Sequence, residues 1–403
     1  MELKGVLLSQ PWGMCGLEGL AAQLYVSVQN KHHIDPAIPF GEYIIGGDKF
    51  YETYVETKDK YINELFRNLT AQELGETAFC EFGGSIPFTI KILSLRIPAP
   101  LLCYPSEVKG NLFHSKNAKN FLTPGVRHGM VVALDDFIFL VGFRSLDFII
   151  KVLENVPEFR MLVNETLIDK FLKTKEKQDF LTIFKHLLDN PSSQIEYASK
   201  ILKDKLLNSA PSCIGSFHPM KLFEKLVDDN PGDVGIFLPY FLNIVNLKSL
   251  EAMIIPAETP YVYLYGEALQ CSNTVENSAT AAFCSRRDLD SFCDSMNLHF
   301  WTTKEIKDNL AVDIRSVEEG ITEYLTPSPF YRVVMGTISG PGVQSIPRLL
   351  SFSIVLIIEG DGMVNDHLRV VPGAAYLFFK REKIIFKAVE NICFVQVSIN
   401  LLV

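Results

Sequence analysis

The chain has 403 residues, 48% of them hydrophobic, and a formal net charge of −9 at pH 7. That length and apolar content imply a large core and two or three domains, and they exclude a disordered chain. The negative balance, with no Lys/Arg-rich block, argues against nucleic acid and anionic membranes as partners.

The first residues, "MELKGVLLSQPWG", are charged at once, and their apolar run is too short for a signal peptide. The longest apolar stretch, "LLSFSIVLII" from Leu349 to Ile358, is about half the length a membrane span needs. A cytoplasmic location is therefore expected. Eight cysteines are scattered without a C-x-x-C pair, which is the pattern of reduced core residues.

Up to about Leu146, short β-rich runs such as "EYIIGGDKF", "IPFTIKIL" and "GMVVALDDFIFLVGF" alternate with turn signals. Such spacing predicts antiparallel strands of a sandwich or jelly roll. Within this stretch "KILSLRIPAPLLCYPSEVKG" forms a stiff corner, because Pro98, Pro100 and Pro105 each fix φ and restrain the preceding residue. From Asp147 to Asp229 the apolar residues recur three and four apart, which predicts helices; "DNPSSQ" reads as a helix stop and restart. Ile183, Phe184, Leu187 and Leu188 then share one face and predict core packing.

After "DDNPGDVGIF" the strands return with "EAMIIPAETPYVYLYG", a strand-then-corner shape of the cupin type, and the last hundred residues repeat it in "VPGAAYLF". "EGDG" is a tight turn that uses glycine for positive φ. The expected fold is mainly β with a helical insert. Residues 1–146 and 230–297 would form a first cupin-type barrel, 147–229 a helical domain, and 298–403 a cupin-like jelly roll.

The blocks "PWGMCG", "GEYIIGGD", "IPFTIKILS", "ALDDFIFLVGFRSLDFI" and "PGDVGIFLPYFLNIVNLKSLEAMIIPAETPYVYLYGEALQC" together resemble the type I mannose-6-phosphate isomerases, or phosphomannose isomerases. The resemblance covers nearly the whole length. It implies a zinc enzyme that interconverts mannose 6-phosphate and fructose 6-phosphate, with Gln, two His and Glu holding the metal in the first barrel. Such a donor set with an open position suits a catalytic zinc.

Carried over residue by residue, those four ligand positions fall on Leu102, Tyr104, Gly129 and Tyr261. Leu and Gly offer no lone pair, and a neutral phenol is a weak ligand. The family's catalytic Glu falls on Gln270, an amide that cannot serve as a base, and its reacting-sugar Arg falls on Thr280. Basic residues persist at Arg127 and Arg286, either as sugar-phosphate contacts or as ordinary rim arginines. His114 and His128 are the nearest histidines; His128 is expected in a loop or facing outward. Cys103 and Cys271 are expected to line the barrel as small hydrophobes. The resemblance thus implies a family member without metal and without catalysis, binding a sugar phosphate or an active paralogue. The competing reading is an active isomerase with a relocated site.

Overall fold

The computed structural model describes residues 1–29, 34–208, 218–346 and 349–401. An eleven-stranded sheet, antiparallel except where Phe300–Trp301 pairs in parallel, curls round an apolar interior. Ten of its strands matter here: β1 (Val6–Cys15), β2 (Pro39–Gly46), β3 (Phe88–Leu95), β4 (Leu102–Cys103), β5 (Gly129–Ala133), β6 (Phe137–Arg144), β7 (Leu242–Leu247), β8 (Ala252–Ile255), β9 (Tyr261–Asn273) and β10 (Ala279–Thr280). The long strand β9 organises the rest. Its first residues pair with β6 and β4, and its second half pairs with β3 and β5. The change of partner falls at Gly266, whose φ is +110° and where a Cβ would meet the Asp136 carbonyl oxygen at 2.2 Å. Only glycine permits that bend.

Strand alternation sends successive side chains to opposite faces of the curled sheet. Leu93, Leu95, Val131, Ala133, Phe137, Phe139, Tyr261 and Tyr263 meet inside it. The outer face is covered twice. Leu140, Phe143 and Val262 pack against the helices between Leu146 and Asp229. Ile90, Ile92, Met130 and Leu269 pack against strands of the carboxy-terminal unit such as Ser353–Glu359 and Ile392–Ser398. That unit closes a further core between a nine-stranded and a four-stranded sheet. The amino-terminal strand Glu2–Lys4 hydrogen-bonds into the nine-stranded sheet, with Leu3 opposite Ala375.

Helix and strand contribute about equally, so the expectation of a mainly β chain is corrected to a mixed one. The difference lies in helices that the period of the first 146 residues did not reveal: Leu20–Gln29, Ile62–Phe66, Ala71–Leu74, Glu76–Phe82 and Glu107–Lys116. All are ten residues or shorter, and Glu107–Lys116 buries only Gly110, so it carries no apolar stripe. The helices after Leu146 follow their apolar period. Ile183, Phe184, Leu187 and Leu188 are fully buried, and the break at "DNPSSQ" separates helices Lys177–Leu188 and Ser192–Asn208.

Seven cysteines are unpaired in the described residues; Cys213 lies outside them. Cys80 is exposed, unlike the buried Cys103, Cys271 and Cys293.

Candidate functional site

Register gathers the positions that the sequence scatters. Across β10, β4, β9 and β6, the residues Thr280, Leu102, Tyr261 and Val141 stand in one row. A second row across β3, β9 and β5 places Lys91, Gln270 and Val131 side by side, and the next places Thr89, Ser272 and Gly129. Tyr104, two residues beyond Leu102, joins Tyr261 in the interior cluster. Leu102, Tyr104, Gly129, Tyr261 and Gln270 therefore belong to one side of the curled sheet.

What these residues make is a packed aromatic wall. The Tyr104 and Tyr261 rings stack at 6.4 Å with 17° between planes, and Tyr263 follows 5.2 Å from Tyr261. Tyr104 is 6% exposed and Tyr261 2%. Tyr263 also leans on Phe137 and Phe139. The Gln270 amide donates to the Tyr263 hydroxyl at 2.9 Å, which commits that side chain to the wall. Burial raises all three phenols above their ordinary range, so they are neutral near pH 7.

Charge enters this interior in two pairs. The Arg127 guanidinium donates to the Val275 carbonyl at 2.7 Å and to the Glu276 carboxylate at 2.9 Å, and it lies 4.8 Å over the Tyr104 ring. Arg127 is 6% exposed, so it is not the rim arginine that the sequence allowed. Lys91 pairs with Glu42 at 3.0 Å, both almost buried. Burial alone would lower the Lys91 pKa, but Glu42 and then Glu276 outweigh it and hold it above the usual lysine range. Lys91, Glu42 and Glu276 were missed in the sequence. Lys91 stands inside "IPFTIKIL", where a lone lysine in a β-branched run that turns out to be interior was the available signal.

Arg286 sits apart. Its guanidinium donates to Asn120 at 3.1 Å beside a cleft of about 180 Å³ that Lys119, Thr280 and Asp288 also line. Thr280 turns its hydroxyl to the Arg286 carbonyl at 2.8 Å. His128 precedes β5 in a loop and packs on Phe330 at 5.1 Å. His114 bonds the Phe121 carbonyl at 2.7 Å.

Cys103 and Cys271 correct a second expectation. They do not line the interior: Cys103 joins the core shared with the helices, and Cys271 the core shared with the carboxy-terminal unit. Each neighbours an inward residue, Leu102 or Gln270, and one step along a strand reverses the face.

A metal does not fit these residues. Leu102 and Gly129 have no donor atom, and the two phenols are neutral and stacked on one another. Among the described residues, no group of three or more His, Cys, Asp or Glu side chains is arranged to hold a metal ion.

A curled antiparallel sheet flanked by a helical block and a second β unit, with these rows facing inward, defines the class of fold. Residues 1–146 match the family described as phosphomannose isomerase type I, catalytic domain. The mannose-6-phosphate isomerase of Schizosaccharomyces pombe is 26% identical, over 93% of this chain and 93% of that protein. The human mannose-6-phosphate isomerase is 26% identical, over 90% of this chain and 88% of that one. Two solved structures superpose over 99% of both chains: the apo form of mannose 6-phosphate isomerase from Salmonella typhimurium, with TM-score 0.81 at 20% identity, and a zinc-bound holo form, with TM-score 0.80 at 19% identity. Residues 1–146 thus match the type I phosphomannose isomerase catalytic domain, and over about nine tenths of its length the chain is similar to mannose-6-phosphate isomerases.

Proposed function

We propose that this chain is a mannose-6-phosphate isomerase-like protein that has given up the metal and the isomerisation, and acts as a binding or regulatory pseudoenzyme. The observation that carries the reading is the Tyr104–Tyr261 stack, 17° from parallel, standing at two positions where the family resemblance puts histidine ligands. Gln270, bonded to Tyr263, supports it further, because an amide cannot shuttle a proton between adjacent carbons. The surrounding scaffold folds without the ion, since three apolar clusters of the curled sheet hold it from inside and outside.

Of the two retained basic positions, Arg286 is the better sugar-phosphate contact. Its cleft keeps a net positive lining, Lys119 and Arg286 against Asp288, whereas Arg127 is already neutralised by Glu276. Binding there, or to an active paralogue in the cytoplasm, is the role this reading leaves to the chain. The alternative is an active isomerase working from a rebuilt site; the names of the relatives favour it, and so does Lys91, a proton-carrying group still held beside Gln270.

Elemental analysis and a mannose 6-phosphate to fructose 6-phosphate assay on the purified chain decide between the two. The expected result is sub-stoichiometric zinc, no turnover, and thermal stabilisation by mannose 6-phosphate in excess of that given by free mannose, an excess that Arg286→Ala removes. Turnover that survives purification and is lost in Lys91→Met establishes the active reading instead.

A further inference from the structure

Beside loop 125–128 there is a larger opening than the cleft at Arg286. A cleft of about 550 Å³ runs between the end of β9, the helix Glu76–Phe82 and the entry to the carboxy-terminal unit at Pro329 and Phe330. That volume is in the range of small-molecule sites. Three features give it a chemistry.

Its floor is a row of rings: His128 lies 5.1 Å from Phe330, and Phe330 lies 5.7 Å from Phe82. Tilted by 55° and 46° to one another, the rings form an apolar surface that can meet the C–H groups of a ligand. Its wall is built rigidly. The Asn273 side chain accepts from the His128 backbone N–H at 3.0 Å and donates to the Val126 carbonyl at 2.9 Å, while the Asn273 N–H donates to the His128 carbonyl at 3.1 Å. The loop that carries His128 is thus fixed before any ligand arrives.

The polar groups that remain are neutral or balanced. The His128 imidazole is half-buried and makes no ring hydrogen bond among the described residues; burial holds its pKa below the usual histidine value, so it offers one donor and one acceptor near pH 7. Asn63, which also lines the cleft, spends its amide N–H groups on the Asp48 carbonyl and on Glu52, and its side-chain oxygen has no hydrogen bond among the described residues. Lys49 and Glu107 stand on the lining with opposite charges, so the cleft has no net preference for an anion.

From the aromatic floor, the fixed wall and the uncommitted neutral polar groups, the geometry points to a binding site for an uncharged hexose-type ring, held by C–H contact with Phe330 and Phe82 and by hydroxyl hydrogen bonds to His128 and Asn63. This site is separate from the Arg286 cleft and does not depend on whether the chain is catalytic.

Calorimetric titration of the full chain with D-mannose and with D-glucose tests it, alongside their 6-phosphates. The expected result is binding of a free sugar that added salt and the phosphate leave unchanged within about twofold, and that His128→Ala or Phe330→Ala weakens by at least about tenfold. Arg286→Ala leaves it intact. The His128 ring resonance of the unaltered protein shifts on titration, a reading independent of any variant's folding. No binding of either free sugar, binding that requires the phosphate, or binding lost in Arg286→Ala and kept in His128→Ala overturns the proposal.

Discussion

The Arg127 guanidinium lies 4.8 Å above the Tyr104 ring and donates to the Glu276 carboxylate at 2.9 Å. One cation thereby serves an aromatic face and an acid at once, at the edge of the interior. Burial by itself would raise the Glu276 pKa, but Arg127 and then Lys91 outweigh it and hold the carboxyl below its ordinary range. A depressed acid contributes stability above its unfolded pKa and loses it as pH falls through the folded value. Glu276→Gln is therefore expected to cost about 2–3 kcal/mol at pH 7, because Arg127 is left without its counter-charge. The cost should shrink below pH 4. The double variant Arg127→Met, Glu276→Gln should lose less than the sum of its parts, measured by urea unfolding.

Glu267 predicts the opposite slope. Burial raises its carboxyl to about 7, against hydrogen bonds from Ser94 and the Leu20 N–H. An acid whose folded pKa is raised binds its proton more tightly in the native state. Its penalty is absent below the unfolded value near 4.5 and grows as pH rises through 7. Unfolding followed by denaturant at pH 5 and pH 8 should show Glu267→Gln removing about 1–2 kcal/mol of this pH-dependent loss. An unchanged slope in that variant would place the effect elsewhere.

Gly129 has room in front of it: a Cβ there would meet only Ile255, at 3.8 Å. Gly129→Ala should consequently change stability by less than about 1 kcal/mol. Restoring all four donors together, with Leu102→Gln, Tyr104→His, Gly129→Glu and Tyr261→His, should yield near-stoichiometric zinc by elemental analysis where the parent chain holds little. A parent that already loads zinc would show that the metal sits on other residues.

Burial pushes the Cys103 and Cys271 thiols far above the usual range, and both side chains are shut inside packing cores. Neither should react with a thiol reagent in the native state. Cys103→Ser and Cys271→Ser should leave the number of native-reactive thiols unchanged, while Cys80→Ser, which removes an exposed thiol, lowers it by one.

Strands with a β-branched run, helices with a clear 3.6 period, and the order of the blocks could all be read along the chain, because each is a local pattern. The loss of lone pairs at Leu102 and Gly129 was equally legible: no fold returns a donor atom to a side chain that lacks one. The short helices Leu20–Gln29 and Glu107–Lys116 were not legible, since they carry too little periodic burial to stand out.

Register and enclosure belonged to the tertiary structure alone. Which face Cys103 and Cys271 take, that Tyr104 stacks on Tyr261, and that Arg127 is buried against Glu276 instead of lying on the rim all depend on strands brought together from distant parts of the chain. A side chain's composition is a property of one position, whereas its burial and its partners are properties of the neighbours that packing supplies.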